Sequence, residues 1–74
     1  MGRYEIYNEL SKRVIAMRHS EERSVFEAYE LSLYEKLSGL TDAVFGDMLT
    51  LGEAKHKLQA YILSLSPKEG SVRL

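Results

Sequence analysis

Apolar residues recur along this chain at steps of three and four, with polar residues between them. From Ser20 to Leu40, Phe26, Tyr29, Leu33, Leu37 and Leu40 keep to one face at ~100° per residue, which predicts a helix with a buried stripe. Leu31 and Tyr34 fall outside that stripe, roughly a third of a turn further round. This helix is therefore apolar on more than one side and is expected to meet two neighbours.

From Tyr4 to Arg18, the residues Ile6, Tyr7, Leu10, Val14 and Met17 predict a first helix, with Glu5, Glu9, Lys12 and Ala16 roughly opposite. Continued past Met17, its stripe would bury Glu21 and Ser24. A turn near His19 resolves the conflict, with Ser20 as N-cap and Glu21 and Glu22 in the following first turn, where free amides favour negative charge. One bent, continuous helix is the alternative.

Ser38-Gly39 predicts the end of the second helix, because glycine readily adopts the left-handed conformation that closes helices. Thr41 then caps a short connecting helix over Asp42 to Leu49, which carries Val44, Phe45, Met48 and Leu49 and is weakened by Gly46. Thr50-Leu51-Gly52-Glu53 has the capping-box pattern, and Leu51, Ala54, Leu58, Ile62 and Leu65 give a last helix that Pro67 stops. The expected fold is all-α: an antiparallel bundle of three main helices plus one short connecting helix, residues 1–66 forming one domain and 67–74 a flexible tail. Its common core should comprise Leu10, Val14, Phe26, Leu33, Leu37, Leu58 and Ile62, at the centres of the three stripes.

Length changes this picture. A core built from 74 residues contributes roughly 3–5 kcal/mol net, and this chain contains no cysteine to add a disulfide. Self-association or close helix packing must supply the remainder. Hydrophobic residues make up 45% of the chain, which places it with folding rather than disordered sequences. Its 10 basic and 11 acidic residues are interspersed, so no overall field draws in nucleic acid or anionic lipid. No apolar run approaches the ~20 residues of a bilayer span, and the first residues, MGRYEIYNEL, lack the apolar stretch of a signal peptide. A cytoplasmic protein is expected.

Candidate chemistry is sparse. Glu53 and His56 have the Glu-x-x-His spacing of di-iron bundles, but they lie on the solvent side of the last helix and lack the second motif and further glutamates of such sites. No nucleophile elbow, cysteine or glycine-rich phosphate loop is present, so neither enzymatic activity nor a cofactor is expected. Read as helix-turn-helix, the last two helices would offer Lys55, His56, Lys57 and Gln59 to DNA, although Glu53 would then face phosphate. A transcriptional regulator is therefore the second functional reading and a metal-binding bundle the third.

Tyrosine combines large apolar area with a hydroxyl that needs water or a partner. Tyr29 and Tyr61, on their stripes, should line the rim of the core. Tyr4 and Tyr34, off theirs, point to a protein interface. With Leu31 and the flanking Glu27 and Glu35 they form the expected contact surface of a small interaction module, a self-associating regulator or adaptor. Homodimerisation is expected to run through the second helix, placing Leu31 and Tyr34 near their counterparts. The competing expectation is a monomer in which Val44 to Leu49 fold back over them.

Overall fold

The computed structural model describes residues 1–65. They form α1 (Arg3–Arg18), α2 (Arg23–Ala28), α3 (Glu30–Phe45) and α4 (Leu51–Ser64), with no strand among the described residues. The expected all-α bundle of three long helices and one short one is present, but the short helix precedes the long central one instead of following it. Pro67 and the tail 67–74 lie outside the described residues.

Local chemistry sets most of the helix ends. At the start of α1 the Gly2 amide donates to Glu5 Oε1 at 2.7 Å. The α4 start is a complete capping box: the Glu53 amide donates to Thr50 Oγ1 at 3.0 Å, and the Thr50 amide donates to Glu53 Oε1 at 2.8 Å. The turn expected near His19 is also found. Ser20 is not the N-cap there; that position falls to Glu22. The Ser20 hydroxyl serves the turn instead, donating to the Met17 carbonyl at 3.2 Å and accepting from the Glu22 amide at 3.0 Å.

Two further expectations are corrected. The helix expected over Ser20 to Leu40 is interrupted at Tyr29, which closes α2 and opens α3 with φ −123° and ψ 26°. Backbone bonding nearly spans the kink, since the Tyr29 amide donates to the Val25 carbonyl at 3.1 Å and the Leu33 amide donates to the Tyr29 carbonyl at 2.9 Å. By this bend α2 leans over the end of α1, where Phe26 and Val25 join the cluster that encloses Met17. Gly39, in turn, does not end a helix. It sits inside α3, which runs on to Phe45, so Asp42 to Leu49 is no separate helix and Thr41 is a buried mid-helix residue, not a cap. The actual stop is Gly46 followed by Asp47, a non-glycine residue at φ 64°. There the Met48 amide returns to the Ala43 carbonyl at 2.8 Å.

All seven residues expected at the core are buried, joined by Ile6, Met17, Leu40 and Ala54. Tyr29 and Tyr61 are half-buried against it, on the rim expected of them. Polar side chains fix how the helices align. α1 and α3 are antiparallel, with Arg3 at the start of α1 paired to Asp42 near the end of α3; at the other end of α1 the Arg18 guanidinium lies 5.5 Å from the ring centre of Phe26 on α2. α1 and α4 are parallel: Lys55 Nζ reaches Glu9 at 3.4 Å and Arg13 Nε donates to Gln59 Oε1 at 2.6 Å, both pairs separated by 46 residues. α4 packs against both α1 and α3 and so covers one side of the two-helix layer they form.

Candidate functional site: the open face of the α1 and α3 layer

The side of that layer away from α4 is uncovered among the described residues. An open groove runs along the α1–α3 seam there, lined by Arg3, Tyr4, Tyr7, Ser38 and Thr41, with no α4 residue in its wall. On α1, Tyr4, Asn8, Ser11 and Ile15 follow steps of four, three and four and share the groove's side of the helix. On α3, Leu31, Tyr34, Ser38 and Phe45, at steps of three, four and seven, also share that side. Tyr4 is 76% exposed, Ile15 48%, Leu31 80%, Tyr34 37% and Phe45 56%. The face is thus apolar toward both ends, with short polar residues at its middle.

Of the residues expected to meet a protein, Tyr4, Leu31 and Tyr34 all lie on this face. Tyr34 is held edge-on to Phe26, with ring centres 6.2 Å apart at 83°, so its ring is oriented by the core beneath it. The rival expectation, that Val44 to Leu49 cover Leu31 and Tyr34, is not met. That segment stands at the far end of α3, more than a dozen residues along the helix from Leu31, which stays open. Glu35 is exposed and Glu27 accepts from Arg23 Nε at 3.1 Å across one helical turn. Ile15 and Phe45 complete the face; sequence reading missed them because the first lies off the α1 stripe and the second was placed in a separate helix.

The four residues considered for DNA do not share one free face. Lys55 and Gln59 turn toward α1, to Glu9 and Arg13, while His56 and Lys57 are exposed. Lys12 and Lys55 together hold the Glu9 carboxyl below its ordinary range, chiefly through their hydrogen bonds. Glu53 is engaged in the α4 cap, and among the described residues no group of three or more His, Asp or Glu side chains is gathered to hold a metal ion. No described helix is long and apolar enough to cross a membrane.

A second apolar area lies at the end of the bundle, where Met1, Phe45 and Met48 border a hollow floored by Ile6, Val44, Leu49 and Leu51. It adjoins the Tyr4 and Phe45 end of the open face. No protein-family model matches this chain, and neither the curated proteins nor the solved structures contain a significant match to it.

Proposed function

We propose that this chain is a small protein-binding module that self-associates, acting as a regulator or adaptor with no chemistry of its own. One observation carries the reading: Tyr4, Ile15, Leu31 and Tyr34 stand exposed on the same side of the α1–α3 layer, while α4 already fills the other. Tyrosine and large aliphatic side chains over an ordered core are the composition of interface centres, where a partner's side chains exclude water.

Light scattering over a concentration series tests this. A mass rising toward twice 8.5 kDa at high micromolar concentration supports it. A mass of 8.5 kDa throughout removes self-association from the proposal. The double variant Leu31→Glu with Tyr34→Lys should remain helical by circular dichroism and lose the higher mass. A double variant that keeps the higher mass places the contact elsewhere.

A further inference from the structure

We infer that α2 is a hinged arm. It rests bent over the end of α1, and it swings about Tyr29 into line with α3 while the three long helices stay packed, releasing Tyr34 from Phe26 as it goes. The hinge does not require self-association.

What holds the arm bent is local. Within α2 only Phe26 is buried, with Val25 partly so. The Arg18 guanidinium lies 5.5 Å from the centre of the Phe26 ring, and the Tyr34 ring meets that ring edge-on. Arg13 grips Glu22, the N-cap of α2, through both carboxylate oxygens at 2.8 and 3.0 Å. Against these contacts, the bend leaves two helical bonds unmade, from the Glu30 amide to the Phe26 carbonyl and from the Ser32 amide to the Ala28 carbonyl. The Phe26 carbonyl accepts from the Tyr29 amide at 3.3 Å instead. Turning Tyr29 from φ −123° and ψ 26° to helical values near −63° and −42° closes both bonds. It also keeps Phe26 in phase with Leu33 and Leu37, so the apolar pattern does not oppose it. The two states thus exchange the contacts of one aromatic ring and one ion pair for two backbone bonds, and a hinge needs opposing terms of similar size.

The turn into α2 is long enough for both states. Arg3 and Asp42 mark a common level on α1 and α3. Arg18 stands fifteen residues along α1 from that level, and Arg23 stands nineteen residues back from it along a straightened α3, so their heights differ by roughly 6 Å. With packed helices ~9 Å apart, the gap from Arg18 to Arg23 is about 11 Å. Residues 19–22 supply five steps of ~3.3 Å, which cover it.

The contact between Phe26 and Tyr34 exists only in the bent state. Eight residues apart on a straight helix they are separated by ~12 Å of rise, about twice the 6.2 Å between their ring centres here. The arm therefore reaches the open face: bent, it braces the Tyr34 ring, and straight, it frees it. A partner that binds Tyr34 in its braced position holds the arm shut, by linkage.

Spin labels on Ser24→Cys and Gly39→Cys, exposed positions in a chain without cysteine, read the arm directly. On one straight helix these sites have a backbone separation of ~22 Å, and the bend shortens it. Phe26→Ala removes the bracing ring, and should lengthen the label distance toward that value, keep the helicity of the chain and slow hydrogen exchange at the Glu30 and Ser32 amides. Where that variant unfolds outright, Glu22→Gln decides: it loosens only the grip of Arg13, and should add the longer distance to a folded chain. A single short distance in every folded variant overturns the hinge. So does a Phe26→Ala chain in which α2 alone loses its helix.

Discussion

The Arg13 guanidinium holds both carboxylate oxygens of Glu22, at 2.8 and 3.0 Å, while its Nε donates to Gln59. One side chain on α1 thereby fixes the turn into α2 and the lateral position of α4. Arg13 holds the Glu22 carboxyl below its ordinary range, and Glu22 in turn raises the arginine. Because the folded pKa of Glu22 is depressed, its contribution is full at neutral pH. It is lost as pH falls through the ordinary carboxylate value toward the lower folded one. Both side chains are about a third exposed, so the contribution is modest, about 1 kcal/mol. Urea unfolding of the parent and of Glu22→Gln should differ by that amount at pH 7 and converge by pH 3. A gap that persists at pH 3 would refute the ion-pair account.

Leu33 is fully buried in the first turn of α3, within the hydrophobic core. Leu33→Ala should cost on the order of 2–5 kcal/mol, a large part of the stability of a domain this small. Thermal unfolding reads this directly, and an unchanged midpoint is incompatible with the core described.

Thr41 is buried in α3, and its hydroxyl oxygen makes no hydrogen bond to the described residues. Valine has nearly the same shape without the polar atom, so Thr41→Val should stabilise the protein by about 1 kcal/mol. The opposite sign in a denaturant titration would mean that the hydroxyl is satisfied from the adjoining groove.

Gly39 and Asp47 occupy each other's preferred settings. A methyl group on Gly39 would meet nothing within 4 Å, and the residue lies mid-helix, so Gly39→Ala should add up to ~1 kcal/mol. Asp47 takes a left-handed conformation that glycine adopts without strain, so Asp47→Gly should also stabilise, by a few tenths to ~1 kcal/mol. Melting curves of the two single variants and their combination should show nearly additive gains, since the sites lie apart on the chain and share no partner.

The stripes of α1 and α4, and the seven core residues, were legible because burial of one face imposes a period that single residues cannot hide. The Thr50 and Glu53 box was legible because it is local. The middle of the chain was not. Phe26, Leu33 and Leu37 keep the same phase across Tyr29, so the stripe carries no trace of the kink, whose cause is the packing of α2 over the end of α1. Gly39 read as a stop because its intrinsic preference is real, yet packing of Leu37, Leu40 and Val44 on the other helices outweighs ~1 kcal/mol of propensity. On the open face, Leu31 and Tyr34 stood out by being off-stripe. Their alignment with Tyr4 and Ile15 depends on how α1 lies beside α3, which no local pattern encodes.

The parallel alignment of α1 and α4 governs the order in which the molecule can assemble. Both bonds that set it join residues 46 apart, so α1 must wait for nearly the whole chain before it meets its last neighbour. The α1–α3 and α3–α4 contacts close over shorter separations, and a pair of α1 and α3 without α4 is apolar on both sides: one is the side that Ala54, Leu58 and Ile62 cover, the other the open face. Docking of α4 buries the first of these surfaces and leaves the second exposed.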